Sequence, residues 1–472
     1  YNKTIIPHKF SHISPRMARE DINKDGSEDL IIGSSNLLPS MAFLRNGTGF
    51  EETFLEGFSL QKQFSESDLA ILDIDGDNDN DIIALAGGYE NKNESDFKHY
   101  LYENNNGTFY RKDLPIPPFP ASVLRPFDYD HDGDIDLFVG ARVKKGMFPY
   151  SNHSWLIHND KGILSVDSTC RLNLGMVTDA VWTDYDNDGW EDLLVAREWN
   201  SLVFLKNNNG RELTPVIIPE IEARRGIWYS ICSCDFDKDG DDDYIAGNLG
   251  ENHRFTVNNQ YPLKLYVVDF EMDGTIDPLI TSYWPDKNGK MKEYPVNYLD
   301  ELWSQSSYFR NRFRDYKTFS YTDIDGIFNE ELIKRVEFTL DVNTTSSYII
   351  WNDNGKFTWE KLPSPLQVSP ISKMIAEDLN GDNMPDLIIG GNDYTYDVST
   401  GFYDAGKGFV LLNQGTRQSG GGAFFKVLKP SESGLLLNGM LESLLFYKGD
   451  TSLLLAGFNR AGIAVFKHHD KN

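Results

Sequence analysis

One nine-residue phrase recurs seven times in this chain of 472 residues: Asp, any residue, an oxygen-bearing residue, any, Asp, Gly or Asn, any, any, Asp. The copies begin at Asp21, Asp73, Asp128, Asp184, Asp235, Asp269 and Asp378, and an apolar run follows each. A repeat of this density prescribes a repeated supersecondary unit before any single residue is weighed.

The invariant positions carry the chemistry. Position 5 is Asp25, Asp77, Asp132, Asp188, Asp239, Asp273 and Asp382, and position 9 is Asp29, Asp81, Asp136, Asp192, Asp243, Asp277 and Asp386. Position 3 keeps a side-chain oxygen while varying in type: Asn23, Asp75, Asp130, Asp186, Asp237, Glu271 and Asn380. Position 7 is chemically indifferent (Ser27, Asp79, Asp134, Trp190, Asp241, Thr275, Met384), as befits a residue that offers only its backbone carbonyl. Oxygens at 1, 3, 5, 7 and 9 can wrap one hard cation. Calcium suits them best, because it takes six to eight oxygens at variable angles where magnesium demands an octahedron. Position 6 (Gly26, Asn78, Gly133, Gly189, Gly240, Gly274, Asn383) holds the two residue types that enter positive φ most easily, which predicts a sharp turn there.

An EF-hand is excluded at position 12, where a bidentate Glu is required. Here that position reads Ile32, Ala84, Val139, Val195, Ala246, Ile280 and Ile389, inside runs such as Leu137-Phe-Val-Gly140 that read as buried strands. Each loop therefore joins two strands of a hairpin. The sixth copy, with Glu271 and Pro278, departs furthest from the pattern and is expected to be the weakest site.

Loop starts are separated by 52, 55, 56, 51, 34 and 109 residues. Intervals near fifty suit the four-stranded blade of a β-propeller, and Asn-Gly pairs at 46–47, 106–107, 209–210 and 354–355 supply a second hairpin turn. The expected fold is an all-β propeller of eight blades, with seven as the alternative, forming one domain over residues 1–472. A helical insertion is expected at 297–336, in Leu299-Asp-Glu-Leu302-Trp303 and Ile327-Phe-Asn-Glu-Glu-Leu-Ile-Lys334. A decayed eighth copy is expected at Phe446–Asp450, and Asn2–Ile6 is expected to close the ring as an outer strand.

The formal charge of −27 is largely a property of the loops. Three aspartates in each of seven copies and five further acids at position 3 supply 26 of the 72 acidic residues. Seven divalent ions would bring the charge to about −13, an ordinary value for solubility. No basic patch points to nucleic acid, and no run of eighteen apolar residues points to a membrane span. Cys170, Cys232 and Cys234 give no disulfide framework and read as buried thiols. His8 and His12 have the spacing of a helical zinc pair but lack the intervening Glu, and Pro7 and Pro15 leave little room for a helix. The chain opens at Tyr1 without a leader, which reads as a processed or excised segment.

These loops with their following strands resemble the FG-GAP/VCBS repeats of integrin α-subunit propellers. Leu137-Phe-Val-Gly140-Ala-Arg142, Gly175-Met-Val-Thr-Asp179, Gly247-Asn248-Leu-Gly250 and Gly401-Phe-Tyr403-Asp404 further resemble bacterial surface VCBS-repeat proteins of Bacteroidetes, often found with an ASPIC/UnbV domain as in cartilage acidic protein. That domain is not seen in this sequence. The resemblance implies an extracellular, calcium-binding propeller at the cell surface, often an outer-membrane lipoprotein and often partnered with a TonB-dependent transporter.

A ligand face is expected opposite the metal loops, where the chain leaves each second strand. Tyr89, Arg142, Arg197, Trp199, Asn248, Asn252, Arg254, Trp284, Asn392 and Tyr394 gather there, offering flat faces and polar groups suited to a glycan or peptide. The expected role is a non-catalytic binding module for such a ligand or for a surface protein. The alternative is a calcium-dependent polysaccharide lyase, with His253 and Arg254 cast as base and uronate neutraliser. No nucleophile or phosphate-loop motif is present, and no catalytic residue is assigned.

Overall fold

The computed structural model describes residues 5–468 other than 12, 36, 48, 61, 63, 90–92, 398–399, 416, 418–423 and 449–450. The second sheet shows the building unit. Strands Ser65–Leu72, Asp81–Gly87, Tyr100–Asn105 and Thr108–Asp113 form an antiparallel meander. The Asp73–Asp81 loop joins the first two strands. Asn106 and Gly107, at φ 51° and 90°, turn the last hairpin in the mirror-image geometry that suits twisted strands.

Asp81–Gly87 is buried along its whole length, and its alternating side chains enter two different cores. Ile82, Ala84 and Ala86 face the first sheet's Ile31, whereas Ile83 and Leu85 face Leu124 and Leu137 of the third. Burying each such aliphatic side chain contributes about 1.5–3 kcal/mol. Stacking sheets face to face is thus what holds the molecule together.

Eight antiparallel sheets of this kind make the molecule an all-β propeller. Seven of them bring their first strands into mutual contact: Met17–Glu20, Ser65–Leu72, Ala121–Phe127, Val177–Thr183, Ser230–Cys234, Lys373–Glu377, Leu441–Tyr447, and back to Met17–Glu20. The remaining sheet enters differently. Strands Asp243–Gly247 and Tyr348–Asn352 pair directly, and everything between them is inserted. That insertion builds a sheet ordered Met291–Pro295, Asp277–Pro285, Leu263–Val268, Val336–Val342, and it contains the sixth Asp loop. Both expected counts therefore have a counterpart, eight sheets in all and seven around the ring of first strands. The irregular intervals of 34 and 109 residues follow from the insertion.

Glycines at the ends of second strands trace the same ring. A Cβ on Gly87 would lie 2.6 Å from Ala121 O, one on Gly140 2.8 Å from Val177 Cγ1, and one on Gly390 2.9 Å from Leu441 Cδ2. A Cβ on Gly247 would meet Ile371 O at 2.3 Å, in the sheet beyond the insertion, and one on Gly457 would meet Pro15 Cγ at 3.0 Å, back at the start of the chain. The glycine that ends these runs leaves room for the next blade.

The inserted sheet lies over the ring face opposite the Asp loops. Its Leu263, Leu265, Ile280 and Val342 pack with Phe148 and Leu249 from loops leaving second strands, with Trp199 of the strand Asp192–Ser201 and with Ile227 of the strand Arg225–Ile227. Helices fall where expected, as five short pieces: Leu299–Gln305, Ser307–Arg312, Tyr316–Ser320, Ile324–Ile327 and Glu330–Ile333. Side-chain oxygens of Ser306, Asp315, Asp323 and Asn329 cap the last four and so punctuate the segment.

Closure differs in detail from the expectation. Residues 2–4, Gly449 and Asp450 lie outside the described residues. Ile5 N donates to Gln305 Oε1 at 2.7 Å and its side chain joins the helical core, so Ile5 and Ile6 cover the insertion and are not an outer strand of the last sheet. Among the described residues that sheet has three strands. Side chains fasten it to the first sheet: Arg16 Nη1 donates to Glu442 O at 2.6 Å, and Tyr447 OH donates to Asp29 O at 3.0 Å. No helix among the described residues is long and apolar enough to cross a membrane.

Candidate functional site

All seven Asp loops share one hydrogen-bond scheme. The position 1 carboxylate accepts from the position 6 backbone N–H, as in Gly133 N to Asp128 Oδ2 at 3.1 Å and Asn383 N to Asp378 Oδ2 at 2.9 Å. The position 5 carboxylate accepts from the position 7 N–H, as in Asp134 N to Asp132 Oδ1 at 2.9 Å. Position 6 has positive φ in every copy, and so does position 4: Lys24, Gly76, His131, Asn187, Lys238, Met272 and Gly381. Sequence reasoning missed position 4. The signal was present, because Gly76 and Gly381 occur in the two copies whose position 6 is Asn.

Position 9 is buried and does two jobs. Asp136 Oδ2 accepts from Tyr129 N at 3.3 Å, while Oδ1 accepts from Asn159 N on the third strand at 2.8 Å. Asp81 and Asp386 do the same within their own sheets. Burial, reinforced by the neighbouring loop carboxylates, pushes Asp81 up to about 6, Asp136 to about 7 and Asp243 to about 8. These are carboxylates held together at a cost that a cation would remove.

The donor set fits a hard cation. Carboxylate oxygens of Asp73, Asp75 and Asp81 lie within 4.8 Å of one another, as do those of Asp128, Asp130 and Asp136, of Asp184, Asp186 and Asp192, and of Asp235, Asp237 and Asp239. Asp237 Oδ1 is buried without a hydrogen-bond partner among the described residues. Two loops carry local modifications. Glu271 Oε1 accepts from Ser307 N and Tyr308 N, which draws the sixth loop's position 3 ligand toward a helix start. In the fourth loop Lys206 Nζ lies 2.6 Å from Asp186 Oδ1 and 2.7 Å from Asp188 Oδ2, an ammonium already at the carboxylates.

On the opposite face the ten expected ligand residues do not form one site. Trp199 is 1% exposed, at φ 60°, in the core beneath the insertion. Asn248 is buried; its Oδ1 accepts from Ile227 N at 3.0 Å, and its Nδ2 donates to Thr344 O at 3.1 Å. Asn392 is likewise buried and bridges Gly406 N and O. The two asparagines serve the backbone and Trp199 serves the core that the inserted sheet covers. Arg197 is tied to Ser201 O at 2.9 Å, and Arg142 pairs with buried Glu198 at 2.8 Å. Tyr89 OH accepts from Gly146 N at 2.5 Å, with the Lys145 ammonium 4.1 Å from its ring. Asn252 and Arg254 are exposed and Trp284 is half-buried, 6.2 Å from Phe255. His253, the candidate base, has Nε2 2.8 Å from Thr345 Oγ1 and Nδ1 accepting from Phe255 N at 3.2 Å, so both ring nitrogens are engaged. His8 lies 2.8 Å from Glu198, and His12 lies outside the described residues.

Tyr394 does lie in an open groove of about 840 Å³, lined by segment 5–9, the first helix of the insertion, residues 394–397, Phe402 and Asp404. Phe402, 58% exposed, sits 5.4 Å from the Tyr394 ring, and Lys9, Glu301, Asp404 and Arg460 add charge around them. Of these only Tyr394 was foreseen. Phe402 and Asp404 sit in the Gly401-Phe-Tyr403-Asp404 stretch but were not foreseen as ligand residues, whereas Lys9, Glu301 and Arg460 come from distant parts of the chain.

The three thiols are free, and burial pushes Cys232 up to about 12 and Cys234 to about 11, which leaves them unreactive.

The loop scheme, its period and the sheet architecture agree with a comparison against protein families, which matches the FG-GAP-like repeat over residues 73–139 and 184–246. Those two stretches are similar to FG-GAP-like repeats. A comparison with curated proteins finds no match. Among solved structures, a lectin of Agrocybe aegerita that recognises non-reducing terminal N-acetylglucosamine shares 13% identity, covering 88% of this chain and 80% of that one at a TM-score of 0.42. The V. cholerae biofilm matrix protein Bap1 shares 10% identity over 100% and 90%, with a TM-score of 0.41. Saccharomyces cerevisiae Sqt1 shares 8% over 100% of both chains, with a TM-score of 0.43. These likenesses carry no functional argument.

Proposed function

We propose that this FG-GAP-repeat propeller is a calcium-braced, non-catalytic binding module that takes a glycan or peptide in the groove beside Tyr394 and Phe402. The observation that carries the reading is that groove itself. It pairs an exposed aromatic face with Lys9, Glu301, Asp404 and Arg460 in a volume of about 840 Å³. Flat rings stack on sugar or side-chain faces, and charged groups at the rim fix orientation. Calcium supplies charge neutralisation at the opposite face, where the loop carboxylates hold it and keep each hairpin bend closed.

The cell-surface setting follows from the resemblance to Bacteroidetes surface VCBS proteins, as do a lipoprotein anchor, an outer-membrane location and a TonB-dependent transporter as neighbour. Catalysis is the weaker reading, since both nitrogens of His253 are engaged within the fold.

A glycan and peptide array probed with the calcium-loaded chain tests this. Binding that falls about tenfold or more in both Tyr394→Ala and Phe402→Ala supports the groove, since stacking losses of this kind reach 1–3 kcal/mol. Release of unsaturated uronate from polysaccharide would favour the lyase, and binding that both variants retain would remove the groove from consideration.

A further inference from the structure

The seven inner strands begin at the face opposite the Asp loops, and around their axis they leave a cavity of about 120 Å³. It adjoins the groove that carries the proposed function, and His8, Lys9, Thr395 and Met440 line both. His8, Lys9, Phe10 and Ile13 form part of its wall. The segment is fastened there: Lys9 N donates to Thr395 O at 3.1 Å, and Phe10 lies 5.9 Å from the Phe148 ring.

Donors exceed acceptors around this space. Lys373, the first residue of its strand, has no acceptor within hydrogen-bonding distance of Nζ among the described residues. Arg16 Nε and Thr178 Oγ1 are buried and equally without a partner there. Most acceptors on the wall are engaged, and the Glu442 carboxylate faces the charges of both Arg16 and Lys373. Asp393 takes Tyr229 OH at 2.9 Å on Oδ2 and Thr395 N at 2.7 Å on Oδ1. Asn392 Oδ1 takes Gly406 N, and Glu442 Oε2 faces Arg16 Nη2 at 3.5 Å. Asp68 and Asp179, the nearest acids further along the axis, are held by Arg125.

We propose that this axial cavity binds a small oxyanion, a carboxylate or phosphate group, held by Lys373 together with Arg16 and Thr178. An ammonium turned into a partly dry space without an acceptor is costly, and an anion removes that cost in one step. Burial and the neighbouring Arg16 pull the Lys373 amine below its usual range even though the carboxylates of Asp179, Glu442 and Asp68 oppose the shift, and an anion in direct contact would oppose it further. The space, about 120 Å³, is large enough for a group of the size of acetate, formate or phosphate.

The test uses the full, calcium-loaded chain. Its melting temperature is measured in chloride, acetate, formate and phosphate at matched ionic strength, and crystals are soaked in formate or bromide. A saturable rise with one oxyanion, retained in Lys373→Arg and weakened about tenfold or more in Lys373→Met, is the expected result. Density for the anion against Lys373 Nζ would accompany it. Equal melting in all four salts, a rise that survives Lys373→Met, or ordered water alone against Lys373 would overturn the proposal. Should Lys373→Met fail to fold, the wild-type titration and the Lys373→Arg variant decide.

Discussion

At the scale of single residues, the loop aspartates divide into two kinds that look identical in sequence. Asp132 is exposed and binds one backbone N–H of its own loop, whereas Asp136 is buried and binds two, one from the next strand. Asp136→Ala leaves buried donors unpaired, which costs about 1–3 kcal/mol whether or not an ion is present. Asp132→Ala removes a proposed cation ligand from a solvated loop. Calorimetry with calcium and with EGTA will show Asp136→Ala lowering the melting temperature in both and Asp132→Ala mainly in calcium. The spacing of ligands was legible because coordination needs oxygens at fixed intervals. The second role of position 9 was not, since its partner Asn159 lies on another strand.

The same residues set a pH dependence for the ion-free protein. Folded-state values of about 7 for Asp136 and about 8 for Asp243 exceed the ordinary aspartate value of 3.8. The folded state then holds more protons than the unfolded chain between those limits, so stability is greatest below about pH 4 on this account and falls as pH rises toward 8. Melting in EGTA will decrease from pH 5 to pH 8, and calcium will flatten or reverse the slope by favouring the ionised carboxylates. A melting temperature indifferent to EGTA at pH 8 would remove the cation from the account.

At the scale of elements, the buried second strand and its terminal glycine are the features that make a blade stack. A Cβ on Gly140 would lie 2.5 Å from Val123 Cγ1 and 2.8 Å from Val177 Cγ1, between two inner strands. Gly140→Ala will cost about 1–3 kcal/mol through overpacking, read as a lower denaturation midpoint with an unchanged slope. Hairpin turns at Asn106-Gly107 and the capped helices of the insertion were readable from local chemistry. The partner of Asp243–Gly247 was not. Its neighbour Tyr348–Asn352 lies a hundred residues on, and nothing local marks the detour.

For the whole molecule, local sequence specified the repeated unit, the spacing of oxygens that could hold a cation, and the all-β class. Those depend on short-range rules: oxygens spaced for one ion, strand alternation, and left-handed residues where a loop must turn. Tertiary structure alone decided that the sixth repeat leaves the ring of first strands and covers the opposite face. It thereby buried Trp199 in the core beneath that repeat, while closure of the ring of first strands brought Lys373 and Arg16 to one cavity. Such meetings are set by how apolar faces far apart in the chain find one another, and residue spacing carries no record of that.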